Sequence, residues 1–196
     1  HIVIVGGGHG GGNAATFLRQ LGHAGPVTLI SEEAIVPYQR PPLSKAYIKG
    51  SAGPDSLMFR PAKFYHEQNI ELIAGRVVSI DRAARKVLLA SGETLAYGHL
   101  VLATGARNRL LDLPNANLPD VKYLRILDES EALRSIMPSK TRVVVIGAGF
   151  IGLEFAATAR IKGLEVDVLE LAPRVMARAV TAEVSEYFQA RHREAG

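Results

Sequence analysis

The sequence has 196 residues, of which 47% are hydrophobic and 21% are charged, an ordinary balance for a globular protein with a substantial core. The formal net charge of +4 is too small to indicate a nucleic-acid-binding protein, and the absence of cysteine excludes disulfides and thiolate metal sites from these residues. No apolar run approaches the roughly 20 residues that span a bilayer, and no signal peptide is visible, so we expect no membrane association and a cytoplasmic location.

The residue pattern in the first part of the chain predicts a β-α-β unit. Residues 2–6 are a continuous apolar run, typical of a buried parallel strand, and a helix over 13–21 leads to a second strand over 27–31. A short helix is predicted over 59–70. Three short strands with tight turns follow within 76–98, which indicates an antiparallel meander.

The second part of the chain repeats this architecture. Residues 99–105 return to the pattern of a buried strand, and the proline-containing stretch 110–120 is the best linker candidate. A helix is predicted over 128–136. A second β-α-β unit is then predicted over 141–147, 150–161 and 165–170. The chain begins on a strand and ends on a helix with Gly196, so we expect an internal piece of a larger protein.

Both β-α-β units carry a Gly-x-Gly-x-x-Gly pattern between strand and helix, the context that indicates a dinucleotide fingerprint. The first glycine permits a tight turn, the second lets a pyrophosphate approach the backbone, and the third lets the helix pack on the strand. The helix N-terminus then faces the anion with free N–H groups. The glycines are Gly6, Gly8 and Gly11 in the first unit and Gly147, Gly149 and Gly152 in the second.

An acidic residue follows the second strand of each unit. Glu32 lies 21 residues after Gly11, and Glu170 lies 18 residues after Gly152, close to the spacing of about 20 expected for a ribose ligand. Glu33 is a rival for the first position. A carboxylate repels a 2′-phosphate, so the second unit should prefer NADH to NADPH. Two dinucleotide sites suggest a flavoprotein, with FAD in the first unit and NAD(P)H in the second.

Residues 36–48, VPYQRPPLSKAYI, place two cations on a stiff backbone. Pro41 and Pro42 have fixed φ angles, and Arg40 and Lys45 flank them. From the residues alone, this segment is either a solvated loop or a rigid support that holds positive charge against a ligand. The six histidines show no metal-ligand spacing, so no metal site is expected.

Four strings of the sequence resemble a known family: YQRPPLSK, LATGARNR, KYLRILDES and VVVIGAGFIGLEFAATA. They are similar to the FAD-dependent NADH:ferredoxin reductases, which belong to the pyridine nucleotide-disulfide oxidoreductase superfamily and have the glutathione-reductase type of fold. The resemblance implies that a [2Fe–2S] ferredoxin is the partner, with a P450 or a ring-hydroxylating dioxygenase beyond it. It also implies an α/β fold with an FAD-binding domain over 1–112 and an NAD-binding domain over 113–196, both truncated here.

The resemblance assigns roles to matching positions. Lys45 would lie near flavin N5, Phe150 would gate the nicotinamide pocket, and Glu154 would lie near Lys45 and hold the nicotinamide amide. Lys45 and Glu154 are therefore the expected catalytic residues. The other cofactor-binding residues that it implies are Gly10, Arg40, Val77, Ala103, Thr104, Gly105, Arg125 and Ile151.

The sequence leaves other functions open. A disulfide reductase or NADH oxidase of the same fold usually has a reactive cysteine within 36–48, where this chain has none. A redox-sensing interaction protein similar to apoptosis-inducing factor would be non-enzymatic. Basic residues near the end form either a solvated helical face or a docking surface for an acidic ferredoxin: Arg174, Arg178, Arg191 and Arg193.

Overall fold

The computed structural model describes residues 1–196, and the chain divides into two compact units. The first unit comprises residues 1–40 and 54–107, and the second comprises 41–53 and 108–196. Residues 41–53 interrupt the first unit in sequence and pack with the second. The predicted functional domains, 1–112 and 113–196, stay a prediction.

Nine strands, six α-helices and three short 3-10 helices make up the regular structure. The strands are β1 (Ile2–Val5), β2 (Val27–Ser31), β3 (Ile70–Ala74), β4 (Val77–Asp81), β5 (Lys86–Leu89), β6 (Thr94–Ala96), β7 (His99–Leu102), β8 (Arg142–Ile146) and β9 (Glu165–Leu169). The helices are α1 (His9–Gln20), α2 (Ala46–Lys49), α3 (Ala62–Glu67), α4 (Leu127–Ile136), α5 (Phe150–Ile161) and α6 (Ala182–Glu194). The longest helix, α6, has 13 residues, and no helix is long and apolar enough to pass through a bilayer.

The first unit is built on a parallel sheet with the strand order β3-β2-β1-β7. Successive side chains of β1 point to opposite faces of this sheet. Ile2 and Ile4 pack in the cluster that contains Ala15 of α1 and Tyr65 of α3. Val3 and Val5 pack with residues of β5, the middle strand of the antiparallel β4-β5-β6 sheet. Both faces are therefore covered, which explains the continuous apolar run, and the predicted meander is confirmed.

The sequence prediction missed β3 and extended the preceding helix too far. Asn69 has a φ of 51°, a left-handed conformation that ends α3. The next five residues pair in parallel with β2 from Val27↔Ile70 to Ser31↔Ala74. This edge strand exposes Glu71 and half-buries Ile73, so its pattern lacks the continuous apolar run of a central strand.

The second unit contains the parallel pair β8-β9, joined by α5. Its core gathers Val145, Phe155 and Ala159 with Leu133 of α4 and Ile48 of α2. The strand β8 pairs only with β9 and leaves Val144 50% and Ile146 57% exposed. The second β-α-β unit thus has the predicted elements but a smaller sheet than the first.

Candidate functional site

The first glycine loop connects β1 to α1. Gly6 has a φ of +116°, which favours glycine, and a Cβ on Gly11 would lie 1.8 Å from the carbonyl oxygen of Gly6. The third glycine is therefore required by the loop itself as well as by its contact with Leu29 of β2. A Cβ on Gly8 would meet nothing within 4 Å, so this position is open to an approaching ligand.

Two further glycines in this loop also have a packing reason. A Cβ on Gly7 would lie 2.4 Å from the Oγ of Ser31, and a Cβ on Gly12 would lie 2.6 Å from Pro37. The helix begins at His9, four residues before the predicted start, with three glycines in its first turn. The close approach of neighbours thus accounts for two of the three glycines beyond the fingerprint, Gly7 and Gly12.

The second glycine loop repeats the geometry of the first. Gly147 has a φ of +101°, and a Cβ on Gly152 would lie 2.0 Å from the carbonyl oxygen of Gly147. Gly149 again has open space around it. No side chain caps the N-terminus of α1 or α5, and neither first turn contains an acidic residue. Both helix starts therefore present N–H groups and a partial positive charge to an anion.

The two rival carboxylates after β2 have different surroundings. Glu33 accepts hydrogen bonds from Tyr38 Oη at 2.5 Å and from Arg40 Nη2 at 2.8 Å. The Glu32 side chain is 65% exposed and has only a long ion pair with Arg76, at 3.8 Å. Glu32 is therefore free to meet a ligand, whereas Glu33 ties the turn after β2 to the start of the proline segment. The ribose role of either residue stays a prediction.

The corresponding carboxylate of the second unit, Glu170, is bound to its own backbone. It accepts hydrogen bonds from the N–H of Ala172 at 2.9 Å and from the N–H of Ala148 at 2.7 Å. These bonds hold the pKa of Glu170 below its ordinary value, Ala172 contributing most. A carboxylate has about four lone-pair sites, so an ionised Glu170 can still accept the hydroxyl groups of a ribose.

Each unit contains a buried arginine nitrogen without a partner. These atoms are Nε of Arg40 in the first unit and Nε of Arg125 in the second. An unpaired buried N–H is unfavourable, and an arginine is suited to phosphate or another anion. Both predicted cofactor-binding arginines therefore fit an anionic ligand.

Other predicted cofactor-binding residues of the first unit lie at the end of β7. The N–H of Ala103 donates to the carbonyl oxygen of Val5 at 2.8 Å, and Ala103 also lies against Gly6 and Gly10. Ala103, Thr104 and Gly105 thus follow the same edge of the sheet as the first glycine loop. Val77 is on β4 opposite Leu89 and packs against the cluster that contains Val5.

The second unit brings together Lys45 and Glu154, the two predicted catalytic residues. Lys45 Nζ lies 2.7 Å from Glu154 Oε1, and the two side chains are 50% and 27% exposed. Pro41–Ser44 form a 3-10 turn immediately before Lys45. Phe150 and Ile151 open the same helix as Glu154 and are 56% and 50% exposed. The expected proximity of Lys45 and Glu154 is confirmed, and their roles stay predictions.

Sequence reasoning missed Ser44 as a possible site residue. Its Oγ lies 2.5 Å from Glu154 Oε2. The two residues are 110 positions apart in sequence, so no local spacing could reveal the contact.

The basic residues near the end of the chain do not form one uniform exposed face. Arg174 donates to the carbonyl oxygens of Ala177 and Val180, each at 2.9 Å. Arg191 pairs with Glu194 at 2.7 Å. Arg174 therefore holds the segment before α6, which leaves it a weak candidate for docking a ferredoxin.

The chain matches known proteins along its whole length. The family model described as pyridine nucleotide-disulphide oxidoreductase matches residues 1–196. Rhodocoxin reductase from Rhodococcus erythropolis is 53% identical over 196 residues, which are 100% of this chain and 46% of that protein.

Solved structures give the same result. The ferredoxin reductase for the CYP199A2 system from Rhodopseudomonas palustris is 67% identical with a TM-score of 0.97, over 100% of this chain and 48% of that one. The covalent putidaredoxin reductase–putidaredoxin complex contains a chain 42% identical with a TM-score of 0.91, over 100% of this chain and 48% of that one. The chain spans about half the length of the relatives that it matches.

Proposed function

Because this chain belongs to the pyridine nucleotide-disulphide oxidoreductase family, we propose that it is part of an FAD-containing, NADH-dependent ferredoxin reductase. Two electrons would enter as hydride from NADH and leave singly to a [2Fe–2S] ferredoxin that serves a P450 or a ring-hydroxylating dioxygenase. The duplicated glycine loop carries the proposal, because the backbone geometry of Gly6 and Gly11 recurs at Gly147 and Gly152. Two such loops provide for two dinucleotides.

The first unit is the proposed FAD site. The open position at Gly8 and the uncapped start of α1 suit a pyrophosphate, and the exposed Glu32 suits a ribose. The unpaired Nε of Arg40 is a further donor for the cofactor. When bound, FAD supplies the capacity to accept two electrons together and to release them one at a time.

The second unit is the proposed NADH site. Its glycine loop receives the pyrophosphate, and Glu170 accepts hydrogen bonds from the adenosine ribose. Glu170 is an ionised carboxylate at neutral pH, and its lowered pKa is consistent with this, so it repels the extra phosphate of NADPH. This charge makes NADH the preferred coenzyme.

The ion pair of Lys45 and Glu154 is the proposed catalytic pair of the second unit. Lys45 adds a positive charge that favours the build-up of negative charge during reduction. Glu154 accepts a hydrogen bond from the nicotinamide carboxamide and orients the ring for hydride transfer. The proline turn keeps the backbone beside Lys45 stiff.

The partner is proposed from the names of the relatives. One is a rhodocoxin reductase, and another forms a covalent complex with putidaredoxin. We therefore propose that the partner of the present chain is an iron–sulfur ferredoxin. The cytoplasmic location and the absence of nucleic-acid and membrane partners also stay predictions.

Mixing the full-length protein with NADH and a panel of [2Fe–2S] ferredoxins tests the proposal. We expect the visible absorbance of a cognate ferredoxin to bleach under anaerobic conditions, with NADPH as the matched control donor giving slower bleaching. Reduction of a disulfide substrate without ferredoxin bleaching would instead favour a disulfide reductase. A long-lived reduced complex that passes electrons to no acceptor would favour a redox interaction protein.

A further inference from the structure

We propose that Ser44 is a positioning residue that fixes the Glu154 carboxylate for NADH, an inference that rests on the proposed function. The Ser44 residue is only 4% exposed, and its Oγ lies 2.5 Å from Glu154 Oε2. An ionised carboxylate only accepts hydrogen bonds, so the serine hydroxyl donates. The other acceptor within reach, the carbonyl oxygen of Pro41, is 3.4 Å away, so the single hydroxyl proton serves Glu154.

The two bonds to Glu154 differ in how firmly they orient it. Lys45 Nζ binds Oε1 at 2.7 Å, but the lysine side chain is 50% exposed. A long, exposed cation loses much side-chain entropy in an ion pair and is screened by solvent. Ser44 has a single side-chain rotor within a buried position, and a hydrogen bond to a charged acceptor is a strong one. Ser44 therefore sets the orientation of the carboxylate more firmly than Lys45.

Ser44 is itself held in place by neighbouring helices of the second unit. Ser130 of α4, which is fully buried, donates to the carbonyl oxygen of Leu43 at 2.8 Å. Thr158 of α5 lies 3.5 Å from the carbonyl oxygen of Ser44. Glu154 and Thr158 are four residues apart and share one face of α5, so this face contacts both the side chain and the backbone of Ser44.

This arrangement leaves Glu154 able to bind a ligand in a defined orientation. Each carboxylate oxygen has about two lone-pair sites, and one on each is used by Ser44 or Lys45. The remaining sites can accept the N–H of a carboxamide. Without the Ser44 hydroxyl, only the exposed Lys45 side chain orients the Glu154 carboxylate, which is then more mobile. Binding of NADH must restrict this motion, which costs conformational entropy and weakens binding.

The variant Ser44→Ala tests the inference in the full-length holoprotein. Anaerobic stopped-flow bleaching of the flavin at increasing NADH concentration separates the Kd for NADH from the limiting rate of reduction. We expect Kd to rise about tenfold, equivalent to about 1.4 kcal/mol, with a smaller change in the limiting rate. FAD content and Tm are measured on the same samples.

Ser130→Ala is the matched control. It removes another buried hydroxyl that anchors the same segment, through Leu43, without contact to Glu154. We expect its Tm to fall while its Kd for NADH rises much less than in Ser44→Ala, because the hydroxyl that binds Glu154 is kept. An equal rise of Kd in both variants would mean that loosening the segment is sufficient, which would overturn the positioning role.

A double-mutant cycle shows whether Ser44 acts through Glu154. In a Glu154→Ala background, Ser44→Ala should change Kd no further, because the acceptor is gone. Additive effects, or a wild-type Kd for Ser44→Ala, would overturn the inference while leaving the proposed function intact. If NADH fails to bleach the wild-type flavin, the proposed function is wrong and the inference fails with it.

Discussion

The two β-α-β units have nearly the same glycine loop inside very different sheets. The φ angles of Gly6 and Gly147 are +116° and +101°. All four residues of β1 are buried, whereas β8 buries only Val145. The loop geometry is therefore set locally by its glycines, while burial depends on strands that are distant in sequence. A sheet of two strands forms the same loop as a sheet of four.

The carboxylates of the two units differ in a way that matters for ligands. Glu170 is anchored to the N–H of Ala148, within its own glycine loop, at 2.7 Å. Glu32 is largely exposed, with a 3.8 Å ion pair to Arg76. The carboxylate of Glu170 thus has a fixed orientation before a ligand binds, whereas that of Glu32 becomes ordered only when a ligand binds. We expect the charge of Glu170 to control coenzyme choice more sharply than Glu32 controls flavin binding.

Adding a methyl group to the third glycine of each loop should disable that unit alone, which is the largest effect that we predict. The new Cβ would lie 1.8 Å from a backbone oxygen in Gly11→Ala and 2.0 Å in Gly152→Ala, and such overpacking costs about 1–3 kcal/mol. Gly11→Ala should lose bound flavin. Gly152→Ala should keep its flavin but lose its response to NADH.

Absorbance of the purified variants, before and after NADH, measures both outcomes. Gly53→Ala is the matched control, since its new Cβ would meet nothing within 4 Å, and we expect wild-type flavin content. If Gly152→Ala lost flavin as completely as Gly11→Ala, the two loops would not serve separate nucleotides.

The variant Lys45→Ala tests whether segment 41–53 contributes to the reaction through the positive charge of Lys45. Removing the cation should slow flavin reduction by about tenfold, an effect of about 1.4 kcal/mol on the barrier. Lys49→Ala removes an exposed cation from the neighbouring helix and should reduce at the wild-type rate. Stopped-flow traces at saturating NADH give both rates, and equal rates would remove Lys45 from the reaction.

The glycine loops could be predicted from sequence because each is formed by residues that are close together in the chain. The assignment of residues 41–53 to the second unit could not, because it depends on contacts such as Ser130 with Leu43 and Ser44 with Glu154. The two residues of the first contact are 87 positions apart in sequence, and those of the second are 110 positions apart. The pairing of Lys45 with Glu154 was reached only through the family resemblance.

The choice between Glu32 and Glu33 also needed the structure. Both residues fit the spacing after the first loop, and only the contacts of Glu33 with Tyr38 and Arg40 separate them. The edge strand β3 was missed for a related reason. Its parallel pairing with β2 decides its conformation, whereas its own alternation of polar and apolar residues is weak.

Glu170→Arg should move coenzyme preference toward NADPH. The substitution replaces a repelling carboxylate with a cation that attracts the 2′-phosphate, and we expect the ratio of kcat/KM for NADH over NADPH to fall about tenfold or more. Glu32→Arg in the first unit serves as the control and should leave this ratio unchanged. An unchanged ratio in Glu170→Arg would remove Glu170 from the ribose site.

The smallest predicted effect concerns acid stability. Hydrogen bonds from Ala172 and Ala148 lower the pKa of Glu170 in the folded state, so the folded protein binds fewer protons there than the unfolded one. This contribution is present above the ordinary carboxyl pKa and is lost as pH falls through the lowered value. Glu170→Gln should flatten the acid limb of Tm against pH slightly. An identical acid limb in Glu170→Gln and the wild type would contradict this assignment.

The absorbance spectrum of the purified full-length protein, recorded anaerobically before and after one equivalent of NADH, tests the claim of two dinucleotide sites most directly. We expect a yellow protein with about one flavin per chain, as one of the two loops allows, whose visible bands bleach on addition of NADH. A colourless protein that binds neither FAD nor NADH would contradict the claim.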